Sequence, residues 1–191
     1  MDGEQDAYLE GRRYERAARA QERAGEQEAA LASWLSYAAL KERKGSYFLS
    51  MYGYFNAARV CDTLKRWQEA AEFCEQAARF AERLGEHALW AFFMNLACQM
   101  HEKAGNYEAC RERYELLGKF FAALDNYFGA ADAYEHAAEM MALGGKDISA
   151  YTVPIAAWQK NYEYWHEQGE LDDAAWSLKR IASYRASQTG V

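Results

Sequence analysis

The sequence has a single proline in 191 residues, four histidines, four cysteines and no hydrophobic run of membrane length. Each scarcity excludes something. With one proline there is little to interrupt helices, and abundant Ala, Glu, Leu, Arg and Gln predicts that helices dominate. No segment alternates apolar and polar residues between turn formers, so no strand is predicted. No stretch approaches the roughly 20 apolar residues that a membrane-spanning helix needs. The N-terminal MDGEQDAYLEGRR is polar and charged, which gives no signal peptide and makes a cytoplasmic location the expectation. The net charge is -7. Residues 1–45 hold eight Lys/Arg against nine Asp/Glu and the remainder 14 against 20, so no segment forms a basic stripe and nucleic acid is not the expected ligand.

The groups that carry catalysis are missing in the same way. There is no Gly-rich phosphate loop: Gly145-Lys146 is the nearest match, but Asp147 replaces the required Ser/Thr and Met140 stands in place of the first glycine. His87 and His101 fall at opposite ends of one predicted helix and His136 and His166 in two others, so no His-x3-His pair shares a face. His101-Glu102 lacks the second histidine of a zinc-protease motif. Asp172-Asp173 read as helix-start acids that suit the helix dipole. Cys61, Cys74, Cys98 and Cys110 fall on core-facing positions, where cysteine behaves as a small hydrophobe; disulfides would require secretion, which nothing marks. No enzyme, metal or cofactor is expected. The terminal Thr189-Gly190-Val191 fits a loose PDZ-type ligand pattern.

What is present is a period. Shifted by 40 residues, the chain superposes Tyr14, Tyr54 and Met94, then Ala17, Ala57 and Ala97, then Ala18, Ala58 and Cys98. Gly25, Lys65 and Gly105 coincide at one turn, and Gly45, Gly85 and Asp125 at a second. Two turns per unit mean two helices. Nine helices are predicted, at about 5–24, 26–44, 46–64, 67–84, 86–104, 107–123, 126–142, 150–168 and 170–187. Ser46, Asn106 and Asp125 are the expected N-caps. Ala30, Ala70, Cys110, Ala130 and Ala174 share one small slot, where helix axes approach. The longest connection, LGGKDISAYTVP at 143–154, predicts an irregular entry to the last helices.

In the second helix of each unit a turn residue precedes an aromatic, a small residue, another large residue and a small or apolar one. The segments are KRWQEAAEFCEQA, GNYEACRERYELL, DNYFGAADAYEHA and, less well, GELDDAAWSLKRI. This resembles the second half of a tetratricopeptide repeat, and Tyr114-x-x-Leu117-Gly118-x-x-Phe121 is similar to the family's W-x2-L-G-x2-Y first half. The resemblance covers roughly residues 10–185. The unit is 40 residues rather than roughly 34 and lacks the closing proline, as in the longer-helix variants of SNAP-type membrane-fusion adaptors. The resemblance implies an all-α, right-handed α-α superhelix (a TPR-like solenoid) of about nine antiparallel helices. It implies one domain over 1–191, with regular repeats at 5–124 and less regular helices at 125–187. The family's two-carboxylate clamp is not present as a set: Asn56 sits suitably, but the lysines are absent.

The segment YFLSMYGYF, Tyr47 to Phe55, packs five aromatics and a methionine into nine residues. At 100° per residue Tyr47, Met51 and Tyr54 share a core side. Ser46, Ser50, Gly53 and Ala57 form a small-residue stripe, and Phe48, Tyr52, Phe55 and Arg59 occupy a third side. In the register of the family that third side lines the concave surface. Its counterparts include Arg19 one unit earlier and Phe92, Asn95 and Gln99 one unit later. The expected site is therefore a partner-binding groove of Arg19, Phe48, Tyr52, Phe55, Asn56, Arg59, Phe92, Asn95 and Gln99, its amides serving an extended backbone and its arginines carboxylates. The function this implies is a non-enzymatic interaction scaffold for a protein or peptide. Two alternatives stand beside it. One is a homodimer of chaperone-like or structural role that buries the aromatic face. The other is a small-molecule pocket near helices 8–9, where Trp158, Tyr162, Trp165 and Trp176 gather; the first three, at i, i+4 and i+7, equally describe helix core.

Overall fold

The computed structural model describes residues 2–148 and 151–189, with side chains for 8–148 and 151–188. Among these residues there are nine α-helices and no strand. They are α1 (Asp2–Ala24), α2 (Gln27–Arg43), α3 (Tyr47–Thr63), α4 (Trp67–Leu84), α5 (His87–Lys103), α6 (Tyr107–Ala123), α7 (Tyr127–Leu143), α8 (Val153–Gln168) and α9 (Leu171–Thr189). None of the described helices is long and apolar enough to cross a membrane. Part of the 143–154 connection, and the end of the Thr189-Gly190-Val191 pattern, lie outside the described residues.

The period is finer than the 40-residue shift. Residues with positive φ recur every 20 positions: Gly25, Gly45, Lys65, Gly85, Gly105, Asp125 and Gly145. Each ends a helix in the left-handed conformation. The next amide then reaches back five residues, as in Ser46 N–H to the Lys41 carbonyl (2.9 Å) and Asn126 N–H to that of Phe121 (2.9 Å). This satisfies carbonyls that the last turn would leave open. Lys65 and Asp125 do so without glycine, at φ 59° and 54°. The step is unbroken to Gly145, and only then does a longer interval, to Gly169, intervene.

Two expected caps are corrected. Ser46 occupies an N-cap position but makes no side-chain cap bond; its backbone carbonyl accepts from the Leu49 and Ser50 amides, both at 3.0 Å. Asp125 is the left-handed turn residue, and its neighbour Asn126 is the cap, accepting from Gly129 N–H at 2.9 Å. Asn106 caps as expected, accepting from Ala109 N–H at 3.4 Å.

The chain divides into two compact units, residues 1–104 and 105–191. In unit 1 each helix packs antiparallel on the next. Rings stacked between α3 and α4 (Tyr47 on Phe80 at 5.8 Å, Tyr54 on Phe73 at 6.2 Å) run in opposite senses along the two helices. The small-residue stripe faces α2: Ser50 and Ala57 are fully buried, and a Cβ on Gly53 would come within 2.8 Å of the Ala38 Cβ. The small slot holds as well, with Ala30, Ala70, Cys110, Ala130 and Ala174 all buried. All four cysteines are buried thiols, and burial pushes Cys61 up to about 11 and Cys74 up to about 12, so neither ionises near neutrality.

Unit 2 stacks α6 to α9 in the same manner. Its core centres on Trp158, fully buried against Ala131 and Ile181. The N-terminal turn of α6 is tied to the residues after α7. Glu108 accepts from Arg111 at 2.7 Å and from Lys146. These hydrogen bonds, Arg111's first, hold the Glu108 carboxyl down at about 2. Because the folded value lies below that of an unfolded glutamate, roughly 4.3, the contribution is present above that pH and is lost as pH falls through about 2. Glu108→Gln is therefore expected to lower the melting temperature at pH 7 and to flatten the acid limb of the profile between about pH 4.5 and 2, so that the two proteins converge at the acid end. An unchanged acid limb would show that the contact carries no native-state preference.

Candidate functional site

The expected groove residues all lie in unit 1, on α1, α3 and α5. Alternate helices pack on a shared neighbour, so residues about 40 apart come close enough for side chains to meet. Among the described residues of unit 1, three ion pairs span such intervals: Arg59–Glu22 (3.0 Å), Arg66–Glu28 (2.8 Å) and Lys103–Asp62 (2.8 Å). With side chains mostly a quarter or more exposed, each is worth at most about 1 kcal/mol. Their use is to fix where the charged heads sit.

Between α1 and α3 lies a polar cleft of about 340 Å³ lined by Arg19, Glu22, Arg23, Trp34, Tyr52, Asn56 and Arg59. Its floor is organised by Glu22. One oxygen accepts from the buried Trp34 indole Nε1–H at 2.5 Å, and the other meets Arg59 at 3.0 Å. Tyr52 leans edge-on against Trp34 (5.6 Å) and Tyr37 (6.3 Å), and its hydroxyl accepts from Arg19 Nη2 at 2.9 Å. Burial is the main reason Tyr37 is pushed up to about 12. Arg19 is also held by Glu15 at 2.8 Å.

A second, smaller cleft of about 80 Å³ lies between α3 and α5. It is apolar, lined by Phe55, Ala58, Arg59, Asp62, Cys74, Leu96 and Met100. Phe55 bridges to α5 through Phe92 (6.1 Å) and Phe93 (5.6 Å). Phe48 and Phe92 stand 58% and 49% exposed. Arg59 lines both clefts and joins them.

The expected residues divide by role. Phe48, Arg59, Phe92, Asn95 and Gln99 are exposed, and Tyr52 and Phe55 are half-buried. Asn56 is buried; its amide donates to the Tyr52 carbonyl (2.8 Å) and accepts from Arg59 (3.4 Å), so it is committed within α3. Gln99 donates to Asn95 at 3.4 Å. The sequence reading missed Glu22, Arg23, Trp34 and Asp62. A signal for two of them existed: Asp62 stands one 40-residue unit after Glu22, and both hold a cation from a later helix.

Elsewhere, Gly145 is a left-handed turn residue and Lys146 holds Glu108, so neither cradles a phosphate. His101 is 3% exposed, its Nε2 3.1 Å from Glu75 and its Nδ1 without a hydrogen-bond partner. No group of three potential metal ligands occurs among the described residues. Near α8 and α9, Trp158 is core, and shallow cavities of about 180 Å³ beside Tyr127, Tyr134 and Lys160 and about 360 Å³ beside Glu135 and Arg180 are present.

No family model matches the sequence, and no curated protein matches it. Among solved structures, the TPR-like repeats of a Podosopora anserina protein described as a putative kinesin light chain are similar at 15% identity. That likeness covers 92% of this chain and 95% of the other, with a TM-score of 0.45. A single-substitution variant of the same protein gives a TM-score of 0.46 at the same identity over 94% and 96%. BtubC (BKLC) from P. vanneervenii matches at 15% identity over 97% and 93%, with a TM-score of 0.28. No SNAP-type adaptor is among these three. At this distance no residue role is transferred, and the stacking of helical pairs is read from the helices of this chain themselves.

Proposed function

We propose that this chain is a non-enzymatic interaction scaffold that holds a protein or peptide segment on the surface formed by α1, α3 and α5. Stacked helical pairs build an extended surface from successive helices, which suits recognition of a segment longer than any single pocket could hold. The observation that carries the reading is the pair of adjoining clefts joined at Arg59, one polar and one apolar, flanked by the exposed rings of Phe48 and Phe92. Large exposed rings beside a preformed cleft mark a contact surface more often than an idle one. The polar cleft offers guanidinium groups to carboxylates, and the apolar cleft takes a side chain of moderate size. A cytoplasmic setting goes with this reading.

The test uses Phe48→Ala/Arg59→Ala/Phe92→Ala. All three side chains are exposed, so melting is expected to shift by no more than a few degrees. Affinity capture from the native cell, wild type beside variant, is expected to lose its principal partner with the variant. Equal capture by both proteins, both folded, would remove the assignment of this surface.

A further inference from the structure

We propose that the end of unit 2 where α7 begins, α8 finishes and α9 begins binds a partner segment carrying lysine or arginine. Rings from three helices surface there together. Phe128 (47% exposed) stacks on Trp176 (41% exposed) at 5.5 Å, and Tyr127 meets Tyr164 (39% exposed) at 5.6 Å. Rings facing water in this way forgo burial, and the charge around them identifies what would cover them. Residues 161–178 contain five carboxylates and no lysine or arginine; Lys160, Lys179 and Arg180 border the run, with Arg180 already bonded to Glu135. Asp172 and Asp173 precede Trp176 by four and three positions and so share its side of α9. Glu167 and Asp125 bear on Tyr127. The phenol donates to Asp125 at 2.9 Å, and that bond, with the Asp125 and Glu167 charges adding to it, pushes its pKa up. Among the described residues no lysine or arginine of the chain pairs with Glu167, Glu170, Asp172 or Asp173.

Aromatic faces ringed by unpaired carboxylates favour one class of occupant. A guanidinium or ammonium gains from the ring quadrupole and the carboxylates at once, whereas an acidic or phosphate-bearing partner is repelled. The same preference operates within the unit, where Arg180 lies 5.9 Å over Trp176 and 6.0 Å over Trp158 while bonding Glu135 at 2.6 Å. That partly exposed pair shows what these rings and carboxylates offer to an arginine. This surface shares no residue with the α1/α3/α5 clefts, so the two assignments are tested by different substitutions.

The experiment titrates the whole chain with a twelve-residue peptide alternating Arg and Ala, and with its Glu/Ala counterpart, following tryptophan emission and heat. The Arg peptide is expected to bind, more weakly as salt rises, and the Glu peptide not to bind. Glu167→Gln/Asp172→Asn/Asp173→Asn is expected to weaken the Arg peptide at least tenfold. Glu112→Gln/Asp132→Asn/Glu139→Gln, which changes the net charge equally, is expected to stay within twofold. Phe128→Ala, with folding checked by melting, is expected to weaken binding as well. No binding, equal weakening by the two triple variants, or equal binding of the Glu peptide would overturn the proposal. So would concentration-dependent self-association abolished by the first triple variant, which would make a second copy the occupant.

Discussion

Replacing Trp158 by alanine is expected to cost the protein about 3–5 kcal/mol, the range for deleting a fully buried indole. Trp158 has no exposed surface, and it touches Phe128 at 5.7 Å and Trp176 at 5.1 Å. Its Nε1–H also donates to Glu135 at 3.0 Å. The deletion therefore leaves a cavity and removes one of the groups that make a nearly buried carboxylate tolerable. Trp158→Phe separates the two effects: it keeps most of the volume and loses the donor, at about 1–3 kcal/mol. Trp176→Ala, at a ring 41% exposed, is expected to cost clearly less than Trp158→Ala. Urea unfolding with tryptophan-independent detection measures all three, and an unchanged slope would confirm that stability and not compactness has moved. A loss below about 1 kcal/mol for Trp158→Ala would mean that unit 2 is not organised around this ring.

Trp158 also shows what the sequence could and could not convey. The i, i+4, i+7 spacing put Trp158, Tyr162 and Trp165 on one core face by helix period, a local property, but only Trp158 is buried and Tyr162 and Trp165 stay half-buried. The partner of Trp158, Glu135, and the tie from Glu135 to Arg180 45 residues on, are set by how α7, α8 and α9 pack, which local periodicity does not encode. The helix pattern was legible for the same reason that Trp158 was. The turns were legible too: the 40-residue shift already aligned Lys65 with Gly25 and Gly105, and Asp125 with Gly45 and Gly85, and all of them take the left-handed conformation, one every 20 residues. In the candidate surface, the angular reading separated Phe48 and Arg59 from the core correctly, since both are exposed. It placed Tyr52 with them, but a tyrosine is long enough to swing back over α2, where Trp34 and Tyr37 receive its ring and Arg19 its hydroxyl. Asn56 turned inward for a different reason. An amide one turn after a carbonyl of its own helix can satisfy itself there.

The second large effect is expected at Gly53, where adding a single methyl should destabilise. In an open helix Gly→Ala gains about 1 kcal/mol. Here the new Cβ would lie 2.8 Å from the Ala38 Cβ, 2.9 Å from the Ala38 Cα and 3.0 Å from the Tyr37 ring. Two of these atoms belong to the α2 backbone or are fixed to it, so relief requires moving the whole helix and not turning a side chain. Overpacking of this kind costs about 1–3 kcal/mol, and Gly53→Val, with two further methyls, is expected at the top of that range or above it. Gly118→Ala provides the contrast. Its Cβ would meet the Tyr134 ring at 2.7 Å, and that half-buried side chain can turn away, so a smaller loss is expected. Because Tyr52 sits between Trp34 and Tyr37, prising α3 from α2 at Gly53 would also open the wall of the polar cleft. The near-ultraviolet circular dichroism of Gly53→Ala should therefore change along with its stability. Ala38→Gly in the same chain removes the closest clashing atom but not the backbone carbon behind it, so the double variant is expected to recover part of the loss. A Gly53→Ala protein as stable as the wild type would show that α2 and α3 do not approach along this stripe.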